Sequence, residues 1–201
     1  MLSNLNDFEI ILASGSPRRR ELLGGLGIDF RVARLNDVDE SYPDDLPANE
    51  VAEYLSKKKA EAYRQSLTER QLIITADTVV ITNGEILGKP IDAADAKRML
   101  KALSGAVHQV VTGVTVMTTA KTVSFSATTN VRFAPLWDEE IDYYISQYRP
   151  FDKAGAYGIQ EWIGYIAVEG IEGSYFNVMG LPIQKLYTVM KSYNRQHGGI
   201  D

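Results

Sequence analysis

The chain has 201 residues, 45% hydrophobic and 23% charged, a composition of globular proteins and a length that buries roughly 70% of the unfolded surface. Its net charge of −5 opposes broad nucleic-acid binding, which needs a basic face. It has no cysteine, which removes disulfides, thiolate chemistry and Cys-metal sites together, and no apolar run approaches the ~20 residues of a membrane span.

The opening "MLSNLNDFEI" lacks a basic region followed by an apolar stretch, so no secretory signal is read and a cytoplasmic location is expected. Phe8 to Ala13 reads as a buried strand. Ser16 and Pro17 follow as N-cap and first helical residue of a short helix ending near Gly24-Gly25, because proline there loses no hydrogen bond. Phe30 to Ala33 reads as a second strand, and the acidic loop "NDVDESYPDDLP" leads to a helix from about Ala48 to Ser66. In "LIITADTVVITNGEILGKP" two strands meet at Asn83-Gly84, the dipeptide suited to a two-residue hairpin turn.

Beyond it, a helix is expected from the Asp92 cap to Gly105, then long strands over His108 to Met117 and Val123 to Phe133, then a capped helix over "DEEIDYYISQY". The Gly- and aromatic-rich "DKAGAYGIQEWIGYIAVEGIEGSYFNVMGLP" reads as loops around a strand near Gly164 to Val168, after which Pro182 opens a final helix. The end, from about residue 194, reads as a frayed tail. With no internal repeat or linker, residues 1–201 are expected to form one α/β domain.

Several residues are out of place for a purely structural role. Arg18, Arg19 and Arg20 stand in the first turn of a helix, where the macrodipole favours acids. An anion received at the Ser14-Gly15-Ser16 junction would offset that repulsion, and guanidinium forks suit phosphate oxygens. A solvated basic face is the plainer alternative. Winding residues 51 to 63 at about 100° per residue puts Lys59, but not Lys57 or Lys58, on the arc shared by Val51, Ala52 and Leu55. Lys59 therefore either snorkels at the edge of a core face or reaches into an anion site. Asp77 interrupts an apolar strand and needs a partner; it is a turn cap, a metal ligand or a general base. Glu40 could supply a second carboxylate. With two histidines in the chain, one of them in the tail, a triad or a multi-His zinc site is disfavoured, and oxygen-ligated magnesium or manganese fits better.

Taken together, "LASGSPRRRELL", Asp39-Glu40, "KKKAEA", "ADTVV", "ILGKP", "LSGAVHQVVTGV", "DKAGAYGIQ" and "GSYFNVMGLP" resemble the Maf-type nucleoside triphosphate pyrophosphatases from about residue 10 to residue 190. The resemblance implies an α/β fold akin to the inosine triphosphatases: a mixed twisted sheet flanked by helices, with the active-site cleft between two lobes. It implies hydrolysis of a nucleoside triphosphate between the α and β phosphates with a divalent metal, Mg or Mn, in a homodimer; no nucleic-acid or membrane partner is expected, on the charge and the lack of an apolar span given above. It also implies a site: Asp77, Lys59, Lys89 and Arg18 as catalytic, Ser14, Arg18, Arg19, Lys59, Lys89 and Gln160 on substrate, and Asp77 with Glu40 on the metal. Glu40, Lys89 and Gln160 rest mainly on the resemblance. "DKAGAYGIQ" resembles the branch acting on dTTP and UTP, although Glu161-Trp162 stands where that family usually continues with Gly. A module that senses a nucleotide and regulates a partner would use the same pocket, and turnover separates the two.

Overall fold

The computed structural model describes residues 2–33 and 38–193, so the expected tail lies outside the described residues. One mixed sheet is formed by β1 (Glu9–Ala13), β2 (Arg31–Ala33), β3 (Gln71–Thr82), β4 (Glu85–Leu87), β5 (Val107–Met117), β6 (Thr122–Phe133) and β7 (Val168–Glu172). Its order is β2-β1-β3-β5-β6-β7, with β4 against β3. The pairs β1–β2 and β1–β3 are parallel and the others antiparallel. The expected hairpin is present, with Asn83 and Gly84 at φ of 50° and 79°, both central residues left-handed as that turn demands.

The alternation of β3 assigns its neighbours. Leu72, Ile74 and Ala76 face a cluster with Leu23 of α1 (Pro17–Gly24) and Leu186 and Met190 of α7 (Ile183–Met190). Ile73, Val79 and Ile81 point the other way, with the apolar stripe of α2 (Ala48–Glu61) packed among them. Further along, Val80 joins a cluster built from α3 (Ala93–Leu103) and α4 (Asp138–Tyr148). Of the three predicted caps two are made as expected, Ser16 accepting from the Arg19 N–H and Asp92 from the Asp95 N–H; α4 instead starts from Trp137, which has no side-chain cap bond and whose own N–H donates to Glu140.

The expected elements fail in three places. The second helix stops at Glu61, and a 3-10 turn at Arg64–Ser66 replaces the last predicted stretch. That turn buries none of its residues, so packing offers nothing to continue the α-helix, whose stability comes mainly from its buried face. The strand near Gly164 to Val168 is instead a helix, α5 (Trp162–Ala167), with β7 beginning only at Val168. Ile163 and Ala167, four residues apart, are its buried pair, too short a run to show a period in sequence. A further short helix, α6 (Tyr175–Met179), lies where loop was expected.

The register opens the site. On one edge of β3 the pairing to β1 ends at Ile74, and the pairing to β4 begins at Val80. Among the described residues, Thr75 to Val79 therefore have no strand beside them on that edge. The gap is a cleft of about 890 Å³ between the β1–α1 junction on one side and the β4 turn with the segment Asp152 to Gln160 on the other.

Candidate active site

Asp77 lies in the middle of the unpaired stretch of β3 and faces the α2 side. Across the ladder its partner is Gly113, and a Cβ there would stand 2.2 to 2.3 Å from backbone atoms of Ala52 and Glu53. The missing side chain lets α2 lie directly on the sheet, as an isolated strand glycine often does. Ser56 then bonds to Thr115 at 2.9 Å and its carbonyl accepts from Thr75 at 2.7 Å. Two turns beyond Ala52, Lys59 is brought down onto Asp77.

The Lys59 ammonium is 2.5 Å from Asp77 Oδ1 and 2.9 Å from Glu40 Oε1. Lys59 and Asp77 are mostly buried, at 15% and 16% side-chain exposure, whereas Glu40 is 56% exposed at the rim. Partial burial works to raise Glu40, but the Lys59 hydrogen bond and attraction, helped by Lys89 and Arg19, outweigh it and hold the carboxyl below its ordinary value. Lys57 and Lys58 make surface pairs with Glu53 and Asp39, so the helical winding separates the three lysines correctly.

The neighbouring arginines differ. Arg19 donates to the Gly180 carbonyl at 2.8 Å, the Ala76 carbonyl at 2.9 Å, Thr78 Oγ1 at 3.0 Å and Ser14 Oγ at 3.3 Å. It thereby pins the end of β1, the open stretch of β3 and the turn after α6. Burial pulls its guanidinium down from the ordinary value, opposed chiefly by Asp77. Among the described residues Arg18 makes only long contacts, 3.3 Å to the Met179 carbonyl and 3.4 Å to Asp152, and keeps donors for a ligand.

Ser14 lines the cleft and its oxygen accepts from the Ser16 N–H at 3.2 Å. Lys89 is an exposed residue on the opposite wall, just after β4, where the Gly88 carbonyl accepts from the Gly155 N–H at 3.0 Å. Gln160 lines the cleft too, its Oε1 buried without a hydrogen-bond partner. All eight predicted site residues thus line one cleft. Neither Glu161 nor Trp162 does: Glu161 turns to Tyr144 and Lys153, and Trp162 packs on Tyr143 at 4.8 Å between ring centroids. Sequence reasoning missed Gly113, which a lone glycine inside the "VVTGV" strand signals, and Asp152, which faces Arg18.

No group of three or more His, Cys, Asp or Glu suited to a metal is found among the described residues. Two carboxylates already converge on one cation, the Lys59 ammonium, and that donor set fits a magnesium-like ion, which takes one or two carboxylates and completes its shell with phosphates and water.

A gap in a mixed sheet, with cations and carboxylates facing each other across it, defines an α/β protein built to hold a small polyanion. The chain belongs to the Maf family, described as Maf-like protein, whose sequence profile matches residues 9–193. A Phocaeicola vulgatus protein named dTTP/UTP pyrophosphatase is 58% identical over 191 residues, covering 95% of this chain and 99% of that one. A Parabacteroides distasonis protein of the same name is 55% identical over 193 residues, covering 96% and 100%. Among solved structures, the Staphylococcus aureus Ham1 protein aligns at a TM-score of 0.48 and 20% identity, covering 63% of this chain and 72% of that one. No helix among the described residues is long and apolar enough to cross a membrane.

Proposed function

We infer that this protein hydrolyses dTTP and UTP to the nucleoside monophosphate and pyrophosphate. The carrying observation is Lys59 held between Asp77 and Glu40 at the open edge of β3, beneath the start of α1 and opposite Lys89. Near-full-length relatives bearing the name dTTP/UTP pyrophosphatase support the substrate.

In this reading the triphosphate enters with its phosphates toward Ser14, Arg18 and Lys89. Arg18, with donors free, takes phosphate oxygens as a fork, and Lys89 balances charge from the facing wall. Asp77 and Glu40 are the residues that would hold a divalent cation, which when bound neutralises the phosphate charge and eases departure of pyrophosphate. Asp77 orients the attacking water or accepts its proton, and the Lys59 ammonium, bonded to its Oδ1, holds that carboxylate in place. Rate enhancement then comes chiefly from positioning and charge stabilisation in a site that folding has already assembled. The Gln160 amide faces the N3–H and O4 edge of uracil or thymine. The same reading takes the protein as a cytoplasmic homodimer, the latter checked by light scattering after size exclusion.

The experiment is pyrophosphate release from a panel of nucleoside triphosphates with magnesium or manganese. Binding without product would favour a nucleotide sensor instead.

A further inference from the structure

An amide reads a base only if its rotation is fixed, because turning it over exchanges donor for acceptor. Gln160 sits in a turn closed by the Glu161 N–H donating to the Gly158 carbonyl at 3.0 Å. Both ends of that turn meet one side chain on α4. The fully buried Tyr144 accepts at its hydroxyl from the Gly158 N–H at 3.0 Å, and donates to Glu161 Oε2.

The other carboxylate oxygen of Glu161 lies 3.1 Å from the Lys153 ammonium, which also reaches Asp152 Oδ1 at 2.7 Å, and Asp152 Oδ2 faces Arg18 at 3.4 Å. Lys153 and Glu161 are only 9% and 19% exposed. Charges removed from water to that degree are costly unless paired and hydrogen-bonded, and a well-packed apolar pair would often serve stability as well. The space around the turn is tight: a Cβ on Gly158 would meet the Glu161 carboxyl carbon at 3.0 Å and Lys153 Cε at 3.1 Å. Behind it a Cβ on Gly164 would stand 1.8 Å from the Ile159 carbonyl oxygen. Tyr144, Lys153 and Glu161 do not line the cleft, so they act on the ligand through what they hold.

We propose that Glu161 is a positioning residue for base selection: gripped by Tyr144 and Lys153, it locks the Gly158–Glu161 turn so that Gln160 presents one fixed amide face to the uracil or thymine edge. The proposal rests on reading the cleft as a dTTP/UTP site. Cytosine presents a donor where uracil presents an acceptor, so a fixed amide leaves buried polar groups unpaired against it. A freed turn loosens the packing that buries the Gln160 amide oxygen, so that the amide can turn over and accept cytosine. Loss of Glu161 therefore relaxes selection, whereas a merely structural network would weaken every nucleotide alike.

The test compares wild type, Glu161→Ala, Glu161→Gln and Tyr144→Phe, each checked for folding by circular dichroism and thermal melting. Affinities for the α,β-imido analogues of UTP and CTP are measured by calorimetric titration, and kcat/KM for UTP and CTP in parallel. The UTP-over-CTP preference should fall about tenfold in Glu161→Ala and Tyr144→Phe, mostly by tighter CTP binding and lower KM for CTP. Glu161→Gln, whose amide oxygen still accepts from the Tyr144 hydroxyl, should keep most of it. An unchanged ratio, equal losses for both nucleotides, or a wild type that binds both analogues equally would overturn the proposal. A wild type that discriminates in binding yet releases no pyrophosphate would instead overturn the enzymatic reading, and the binding ratios would still decide the role of Glu161.

Discussion

Gly113 stands directly across from Asp77 in the β3–β5 ladder, and the room its missing side chain leaves is filled by the α2 backbone at Ala52 and Glu53. The glycine sets the height of the helix, and the helix sets the position of Lys59. In Gly113→Ala the new methyl would meet backbone atoms at 2.2 to 2.3 Å, which cannot give way as a flexible side chain would. The expected result is a loss of about 3 kcal/mol in denaturant unfolding. Activity per folded molecule should fall as well, because Lys59 withdraws from Asp77. A variant with wild-type stability would show that α2 is not seated there.

Asp77→Asn keeps the shape and an acceptor for Lys59 while removing the charge. It should fold with nearly unchanged melting and lose about a hundredfold or more in turnover, the scale of losing a positioned base or charge stabiliser. Pyrophosphate release near the wild-type rate would remove Asp77 from the chemistry.

The two arginines that open α1 should separate by phenotype. Arg19→Ala strands the Gly180 and Ala76 carbonyls and two hydroxyls that now accept from it, at a cost of about 2–4 kcal/mol in stability. Arg18→Ala loses two long contacts, so its stability should stay within about 1 kcal/mol of wild type while KM for the triphosphate rises. Thermal melting beside steady-state kinetics distinguishes the pair, and identical profiles would contradict the division of labour.

His108 carries a pH signature. Its ring is buried, bonded through Nε2 to the Tyr157 hydroxyl at 2.8 Å, and burial lowers its pKa from 6.5 to about 4. Between those values the unfolded chain binds a proton that the folded chain refuses. Stability from this group is therefore full above pH 6.5 and falls as the pH drops toward 4, by about 3 kcal/mol in all. His108→Gln retains a polar partner for Tyr157 and should lose that part of the slope in urea unfolding across the window. An unaltered slope would show that His108 does not contribute it.

Much of the site was legible in the sequence because its residues violate local rules. A lysine on an apolar helical arc and an aspartate inside an apolar strand each cost free energy unless paired, and the structure pairs them with each other. Arg18 and Arg19 broke the dipole rule together, yet adjacency in sequence could not reveal that one is consumed by backbone carbonyls and the other left open. Glu40 and Lys89 sit in exposed surroundings where their residue types are ordinary, so pattern alone offers Glu40 no more than a second carboxylate and says nothing of Lys89. Trp162–Ala167 shows no helical period because six residues hold less than two helical turns, and Gly164, part of the glycine-rich composition that reads as loop, lets α5 rest against the Ile159 carbonyl.

The most direct measurement is pyrophosphate release by the purified protein under magnesium or manganese, with kcat/KM determined for UTP, dTTP, CTP and GTP. The account predicts UTP and dTTP as the best substrates, yielding the monophosphate and pyrophosphate, with CTP and GTP at least about tenfold poorer. Equal efficiency on CTP and UTP, or tight nucleotide binding with no pyrophosphate formed, would contradict it.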